Sequence, residues 1–366
     1  MRNLNPLKKG LLYHMCNHHK NITTRALSVP SAKAPFEQTT IARRDLRPDD
    51  VLIDIKYCGI CHSDIHNAHN DFGRGVLPMV PGHEIAGIVA AVGSEVTKFA
   101  VGDRVGVGCF VDSCGECDFC LRGEEQFCRK GVVVVFNSIG YDGELTYGGY
   151  SQKIVVKDKF VVRIPDGLEL DAASPLLCAG ITTYSPLKHW NAGPGKKVAV
   201  LGMGGLGHLA VQFAHTMGAE VTVLSHSQNK KDEAFGFGAS HYYVTTDPAT
   251  FTELTGQFDL ILNTVSANID VDAFLSILNV DGALVNLGLP NKPDQYHVFS
   301  LFAGRRIITA SNVGGIRETQ EMLDFSAEHG IAPMIEVIRA DQVDEAYERV
   351  LSSDVRYRFV IDMATL

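Results

Sequence analysis

One thirty-residue stretch, "KKVAVLGMGGLGHLAVQFAHTMGAEVTVLS" (196–225), constrains the fold more than any other part of this chain. A short apolar run leads into a G-x-G-x-x-G turn, and apolar residues then recur at three- and four-residue intervals, as on one helix face. In such a turn the first glycine permits the bend, the second admits a pyrophosphate and the third lets helix pack on strand. The stretch therefore predicts a dinucleotide-binding βαβ unit, with cofactor contacts from Gly202, Gly204, Gly205, Leu206 and Gly207.

Strands and helices continue to alternate after this unit, whereas the preceding half of the chain is strand-like. "QFDLILNTV", "VDAFLSILN" and "GALVNLG" predict strand, helix and strand, which favours a parallel, doubly wound sheet. Before it, "DVLIDIKYCG", "EIAGIVAAVG" and "GGYSQKIVV" are short strands bounded by turns, typical of a β-barrel or rolled sheet. The predicted fold class is therefore α/β plus β, in two domains.

The end of the chain differs from the alternating part that precedes it. A helix, "TQEMLDFSAEHG", is followed by "RYRFVID", a strand without a helix after it, and we expect this tail to return to the first domain. The predicted segments are an extension (1–21), a catalytic domain (22–177), a dinucleotide-binding domain (178–312) and the C-terminal return (313–366).

The residues after the second strand of the βαβ unit discriminate between the two nicotinamide cofactors. An NAD site usually carries an acidic residue there, which binds the 2′-hydroxyl of the ribose. This chain has "SHSQNKK" instead, with no acid before Asp232. Small hydroxyls and lysine charge suit a 2′-phosphate, so NADP is predicted. The contacts would come from Ser225, His226, Ser227 and Lys230.

A loop of four cysteines, "CGECDFCLRGEEQFC", predicts a structural metal site. Four thiolates close together form a tetrahedral zinc site without an open position. An iron–sulfur cluster is the alternative, but the long last spacing and the absence of a Cys-Pro pair favour zinc. The predicted ligands are Cys114, Cys117, Cys120 and Cys128.

A catalytic zinc needs three protein ligands and one open position. Spacing alone does not choose among the candidates outside the four-cysteine loop, which are Cys58, Cys61, His62, His66, His69, His83, Glu84 and Cys178.

Composition limits the partners and the compartment. The net charge of −9 argues against a nucleic-acid partner, and no apolar run is long enough for a membrane span. Nine cysteines without a signal peptide favour a reducing compartment, and we expect the cytoplasm. The first 36 residues contain no acid, a pattern that also permits organelle targeting.

Five motifs in a fixed order resemble the zinc-dependent medium-chain alcohol dehydrogenases. They are "GICHSD", "GHE", the four-cysteine loop, "LLCAGITTYSPL" and "GMGGLG". The nearest likeness is to the cinnamyl alcohol dehydrogenase branch and its bacterial broad-range aldehyde reductases, from about Ile22 to Leu366. The resemblance implies a GroES-like β-barrel catalytic domain around a Rossmann domain, two zinc ions per chain, NADP, a small alcohol or aldehyde as substrate, and a homodimer.

The resemblance also implies how a catalytic zinc is held. Cys61, His83 and Cys178 would be its ligands. Glu84 would lie behind the metal, and Asp64 would accept a hydrogen bond from His83 and so orient its ring.

Proton transfer is likewise implied by the resemblance. Ser63 would touch the substrate oxygen and pass its proton through the nicotinamide ribose to His66, while His62 would lie near the cofactor pyrophosphate.

One position departs from the plant enzymes of this branch, in which a tryptophan helps to wall an aryl pocket. Val134 stands near that place, which predicts a wider pocket and a broad aliphatic and aromatic aldehyde reductase. The alternatives are an NAD-dependent polyol or secondary-alcohol dehydrogenase of the same superfamily, and a non-catalytic, zinc-stabilised NADP-binding regulator.

Overall fold

The computed structural model describes residues 22–290 and 292–366. The predicted extension at 1–21 lies outside the described residues. Within the part of the chain that is described, none of the helices has the length and apolar character that a membrane crossing requires.

The strands are β1 (Ile22–Ser28), β2 (Glu37–Arg43), β3 (Asp50–Gly59), β4 (Ile85–Val92), β5 (Arg104–Val107), β6 (Phe110–Asp112), β7 (Val133–Val134), β8 (Lys153–Lys157), β9 (Val162–Arg163), β10 (Lys197–Leu201), β11 (Glu220–Ser225), β12 (His241–Val244), β13 (Phe258–Asn263), β14 (Leu278–Asn286), β15 (Ile307–Ala310), β16 (Ile335–Arg339) and β17 (Arg358–Asp362).

The α-helices are α1 (His62–Ala68), α2 (Asp118–Arg122), α3 (Leu170–Pro175), α4 (Ile181–His189), α5 (Gly207–Thr216), α6 (Lys231–Gly236), α7 (Pro248–Glu253), α8 (Val271–Ser276), α9 (Val298–Phe302), α10 (Ile316–His329) and α11 (Val343–Leu351). A π-helical turn, Leu176–Gly180, joins α3 to α4.

The second half of the chain forms a parallel sheet with the strand order β12-β11-β10-β13-β14-β15. The predicted doubly wound sheet is therefore confirmed. The chain moves outward from β10 to one side through β11 and β12, and to the other side through β13, β14 and β15. A crevice forms at the carboxyl ends of the strands where this direction reverses, and ligands bind there in such sheets. The glycine turn follows β10 and lies at that point.

The first half of the chain builds a second, mainly antiparallel sheet, in the order β16-β17-β3-β4-β5-β9, with β8 also paired to β3. The C-terminal strand β17 pairs with β3 through Val360 and Gly59. Helix α11 and β17 share a core with β3, β4 and β8, to which they contribute buried Tyr347 and Phe359. The last residues of the chain thus complete the domain in which the chain begins.

The glycine turn itself depends on close backbone packing. Gly202 has a φ of +93°, a conformation that side chains disfavour. A Cβ added at Gly207 would lie 2.0 Å from the Gly202 carbonyl oxygen, so α5 approaches β10 as closely as its backbone allows. A Cβ at Gly204 would meet no atom within 4 Å, which leaves open space beside the turn.

Two alanine substitutions distinguish the close packing at Gly207 from the open space at Gly204. Gly207→Ala should lower the free energy of unfolding by about 1–3 kcal/mol, because the added methyl group forces strand and helix apart. Gly204→Ala should leave it unchanged within the error of denaturant unfolding. Equal unfolding free energies for the two variants would show that α5 does not pack through Gly207.

Candidate active site

Asp64 joins the two segments that carry the first two predicted metal ligands. Its buried carboxylate accepts hydrogen bonds from the backbone N–H of Cys61 (3.0 Å) and of Gly82 (3.0 Å). It also accepts the Nδ1–H of His83 at 2.9 Å. The first bond caps the start of α1, because Cys61 is the N-cap residue and Asp64 the third helical residue. Nε2 of His83 is then free to bind a metal.

Cys61, His83, Glu84 and Cys178 converge, and their ligand atoms all lie within 4.8 Å of one another. His83 Nε2 is 3.2 Å from the Cys178 Sγ. A hydrogen bond from Cys178 lowers the pKa of Cys61 well below its usual value, and the thiolate is the form that binds metal. The structure therefore brings together the three predicted ligands of the catalytic metal from three distant parts of the chain.

Cys178 reaches this cluster from the π-helical turn between α3 and α4. Such turns are rare and often mark functional sites, since the extra residue displaces one side chain from the helical repeat. The whole turn is buried, and Thr183 Oγ1 donates to the Ala179 carbonyl at 2.9 Å. The turn holds the thiol in the interior, near the edge of the dinucleotide-binding domain.

Glu84 lies in this cluster and pairs with Arg358, the first residue of β17. The two side chains form a short ion pair, with Glu84 fully buried and Arg358 6% exposed. Burial raises the pKa of Glu84 to about 7, against the opposing effect of the guanidinium. The second carboxylate oxygen of Glu84 has no hydrogen-bond partner among the described residues. That oxygen is available to a metal held by its neighbours.

Sequence reasoning missed three residues that border the cluster: Arg358, Cys109 and Phe136. A hydrogen bond from Cys178 lowers the pKa of Cys109, so the two thiols are in contact. The Phe136 ring stacks on His83 with 6.0 Å between centroids. An arginine inside the apolar run "RYRFVID" was the one available signal for Arg358. Cys109, at the end of "VGVGC", belongs to no motif that would have singled it out.

The four cysteines of the loop also converge, with all four Sγ atoms within 4.8 Å of one another. Cys117 Sγ is 3.5 Å from Cys120 Sγ, and the Cys114 amide donates to Cys128 Sγ at 3.4 Å. Backbone N–H groups of Arg129 and Cys120 lower the pKa of Cys117 to about 6. Four sulfur donors fit a closed tetrahedral zinc site that stabilises the loop.

This cysteine loop docks against the rest of the protein through Glu125. One carboxylate oxygen accepts the backbone N–H of Ile316, the first residue of α10, at 3.0 Å. A negative charge at that position complements the helix dipole as well as the free amide. The predicted structural metal would therefore stabilise an interface as well as a loop.

The predicted proton-relay residues follow Cys61 on α1. Ser63 is exposed, and the Nδ1–H of His66 donates to Asp71 Oδ2 at 2.8 Å. A cavity of about 380 Å³ borders His66, so a proton on its ring can exchange with water. His62 is exposed, with its ring centroid 6.2 Å from that of His66.

Lys230 reaches from the start of α6 to the glycine turn. Its Nζ donates to the Met203 carbonyl oxygen at 2.8 Å. Ser225 is buried at the end of β11, Ser227 is half-buried and His226 is exposed. The predicted 2′-phosphate residues therefore lie at the carboxyl ends of β10 and β11.

Four of the eight open candidates do not join the cluster: His62 and His66, which lie on α1, and Cys58 and His69. Cys58 is fully buried in the core, where burial raises its pKa well above the usual value and leaves the thiol unreactive. His69 follows α1 and borders a separate cavity that Asp344 also lines. Val134, predicted to stand near the place of the plant enzymes' tryptophan, is 38% exposed on β7.

The donor sets fit the two predicted zinc sites. Two thiolates and one imidazole, with a carboxylate behind them, would hold a catalytic zinc and leave one position open. The carboxylate–histidine bond from Asp64 is the usual support of such a ligand.

Two family models match the chain. The model for the alcohol dehydrogenase GroES-like domain matches residues 47–166, and the zinc-binding dehydrogenase model matches residues 205–328. The predicted pairing of a GroES-like domain with a Rossmann domain is thus confirmed.

Known proteins resemble the chain over nearly its whole length. The probable formaldehyde dehydrogenase AdhA of Bacillus subtilis is 74% identical over 352 residues, which cover 96% of this chain and 100% of that protein. The NADP-dependent alcohol dehydrogenase C 1 of Mycolicibacterium smegmatis is 62% identical, covering 94% and 99%. A solved cinnamyl alcohol dehydrogenase from Sorghum bicolor has a TM-score of 0.91 at 42% identity, covering 94% and 98%.

Two cysteine substitutions distinguish the metal sites. Cys61→Ala should remove about one zinc per chain and keep the fold, because the open site closes no structural loop. Cys117→Ala should remove the other zinc and lower the melting temperature, since the closed site stabilises the loop. Elemental analysis and thermal unfolding provide the measurements. Loss of both zinc ions from Cys61→Ala, or a wild-type melting temperature for Cys117→Ala, would contradict the assignment.

Proposed function

The chain belongs to the zinc-dependent medium-chain alcohol dehydrogenases, in the cinnamyl alcohol dehydrogenase branch, and on that premise we propose that it interconverts primary alcohols and aldehydes with NADP(H). The substrate is a small aliphatic or aromatic molecule. The relatives named as formaldehyde dehydrogenase and as NADP-dependent alcohol dehydrogenase support this class of reaction and cofactor.

The proposal rests on one observation: Cys61, His83 and Cys178 converge at one place in the structure. A protein that only binds NADP has no need of this three-ligand set with an open position. Nor does it need the Asp64 bond that orients His83. The set therefore favours catalysis over the non-catalytic regulator considered from the sequence.

Zinc and the nicotinamide cofactor would supply part of the chemistry, and the chain's own side chains supply the rest. Zinc held by Cys61, His83 and Cys178 would supply Lewis acidity at the substrate oxygen, and a bound reduced nicotinamide would supply the hydride. Ser63 donates a proton to the oxygen as negative charge develops there. His66, hydrogen-bonded to Asp71 and bordering a cavity, exchanges that proton with water. Arg358 balances the buried charge of Glu84 and keeps that carboxylate behind the metal ligands.

Open space beside Gly204 lets the pyrophosphate of either nicotinamide cofactor approach the backbone. Two other observations support NADP over NAD. Lys230 is held next to the turn, and no carboxylate follows β11 at the place where NAD enzymes bind the 2′-hydroxyl. The NAD-dependent polyol dehydrogenase is disfavoured for the same reason.

A broad substrate range is supported by one contact and by the family resemblance. Phe136, stacked on His83, provides one apolar ring. The resemblance puts Val134 near the place of the larger tryptophan of the plant enzymes. A pocket with one aromatic wall suits aldehydes of varied size, because a hydrophobic pocket discriminates only weakly between neighbouring alkyl lengths.

We also propose the domain limits and the cellular compartment. We assign 22–177 and 313–366 to the catalytic domain and 178–312 to the dinucleotide-binding domain, which is supported by the pairing of β17 with β3. Metal-binding thiolates require a reducing environment, and this supports the cytoplasm.

The test is NADPH oxidation by zinc-loaded protein with a panel of aliphatic and aromatic aldehydes. We expect turnover, with kcat/KM at least about tenfold higher for NADPH than for NADH, because a charged hydrogen bond to the 2′-phosphate contributes about 1.5–3 kcal/mol. Ser63→Ala should lower kcat by about a hundredfold or more with unchanged zinc content.

Ser63→Thr serves as the matched control, since it keeps the hydroxyl. Absence of turnover with every aldehyde would refute the enzyme, and equal efficiency with NADH would refute the cofactor. An unaffected kcat in Ser63→Ala would remove the serine from the relay.

We further propose that the protein is a homodimer that pairs through β15 and α9. Strand β15 is the outer strand of the parallel sheet, with one edge unpaired among the described residues. Helix α9 precedes β15 in the chain, and Leu301 of α9 and Ile308 of β15 pack against the same core cluster. The helix exposes Val298 (71%), Phe299 (83%) and Phe302 (82%). An unpaired strand edge next to large exposed aromatic side chains suits a self-complementary two-fold contact.

Phe299→Glu should convert this dimer into a monomer, because it introduces a charge at the centre of the covered face. Sedimentation velocity measures the mass, and Val101→Glu, at a 66% exposed position before β5, is the control that should remain dimeric. A monomeric wild type, or a dimeric Phe299→Glu, would contradict the proposed interface.

A further inference from the structure

Tyr357 lies directly before β17, and its ring packs against the lysine of the cofactor site. The side chain is buried at 2% exposure, and the Lys230 ammonium lies 4.7 Å from the ring centroid. The same ammonium donates to the Met203 carbonyl of the glycine turn at 2.8 Å. Lys230 is therefore held from two sides, by a carbonyl oxygen and by an aromatic face.

The ring of Tyr357 is itself fixed by its surroundings. Its hydroxyl donates to Glu233, which also pairs with Arg356 at 3.2 Å. The His208 imidazole stacks on the ring, with centroids 4.7 Å apart and planes 10° apart. Burial lowers the pKa of His208 to about 3, so this neighbour adds no positive charge. The Arg356 guanidinium lies farther from the ring, 6.0 Å from its centroid, and is paired with Glu233. The aromatic face thus has a fixed position, and Lys230 is the nearer of the two cations over it.

The charge balance leaves Lys230 available to an anion. Among the ion pairs of the described residues, none joins Lys230 to a carboxylate, and the nearby Glu233 is occupied by Tyr357 and Arg356. An ammonium group has three donors, and only one is directed at Met203. A free lysine would lose side-chain entropy on binding a phosphate. Held against the ring, Lys230 has already lost most of that freedom.

We propose that Tyr357 is a positioning residue that determines recognition of the cofactor's 2′-phosphate. Its π face seats the Lys230 ammonium beside the glycine turn by a cation–π contact, with the ammonium's remaining donors free for the phosphate. Glu233 orients the ring through the hydroxyl. The inference rests on the proposed use of NADP and adds a residue from the C-terminal segment to its recognition.

The test compares two fragments of the cofactor on the full-length, zinc-loaded protein. Adenosine 2′,5′-bisphosphate carries the 2′-phosphate, whereas adenosine 5′-monophosphate lacks it, and calorimetry gives both dissociation constants. Tyr357→Leu should reduce the preference for the bisphosphate about five- to tenfold, whereas Tyr357→Phe, which keeps the ring, should largely retain it. Tyr357→Met also removes the ring but replaces it with an unbranched, flexible side chain that adapts to the space left, and melting temperatures show which variants are folded.

A second mutation isolates the path through the lysine. In a Lys230→Ala background, Tyr357→Leu or Tyr357→Met should have no further effect on the preference for the bisphosphate, because the Lys230 ammonium that the ring positions is absent. An unchanged preference in the folded Leu and Met variants would overturn the inference. So would an equal loss in Tyr357→Phe, or an effect that persists without Lys230. If the wild type binds both fragments equally, the proposed use of NADP fails and the inference fails with it.

Discussion

The buried carboxylate of Asp64 is the interaction on which the metal site depends. It accepts one hydrogen bond from each of two backbone segments and one from the His83 ring. These bonds place Cys61 at the start of α1 and direct His83 Nε2 towards Cys178. A buried carboxylate without such partners would be costly, so the segments are held in one arrangement by the same bonds that stabilise the charge.

The C-terminal segment connects this metal site to the cofactor site. Arg358 pairs with Glu84 behind the metal ligands, and its neighbour Tyr357 contacts Lys230 beside the glycine turn. Arg358 begins β17 and Tyr357 directly precedes it, and β17 is hydrogen-bonded to β3. The segment around β17 therefore contributes to both sites. It places the Arg358 charge at the metal ligands and the Tyr357 ring against Lys230 at the cofactor site.

The sequence predicted the parallel sheet and the four-cysteine cluster because both are local patterns. The glycine turn needs only its flanking strand and helix, and four cysteines in one loop are already close in the chain. The catalytic cluster was different, since Cys61, His83 and Cys178 are far apart and spacing left several candidates open. A family resemblance was needed to select them. Arg358 was missed because its partner Glu84 is 274 positions away, and only the sheet register brings the two together.

The central claim is that this chain holds two zinc ions in different surroundings, one open and one closed by four sulfurs. Zinc X-ray absorption fine structure of the purified protein tests it most directly. With two zinc ions per chain, the account predicts an average of about three sulfur ligands per zinc together with a nitrogen contribution, which disappears with the catalytic zinc in Cys178→Ala. A single zinc per chain with only sulfur ligands, or a nitrogen contribution that persists in that variant, would contradict the account.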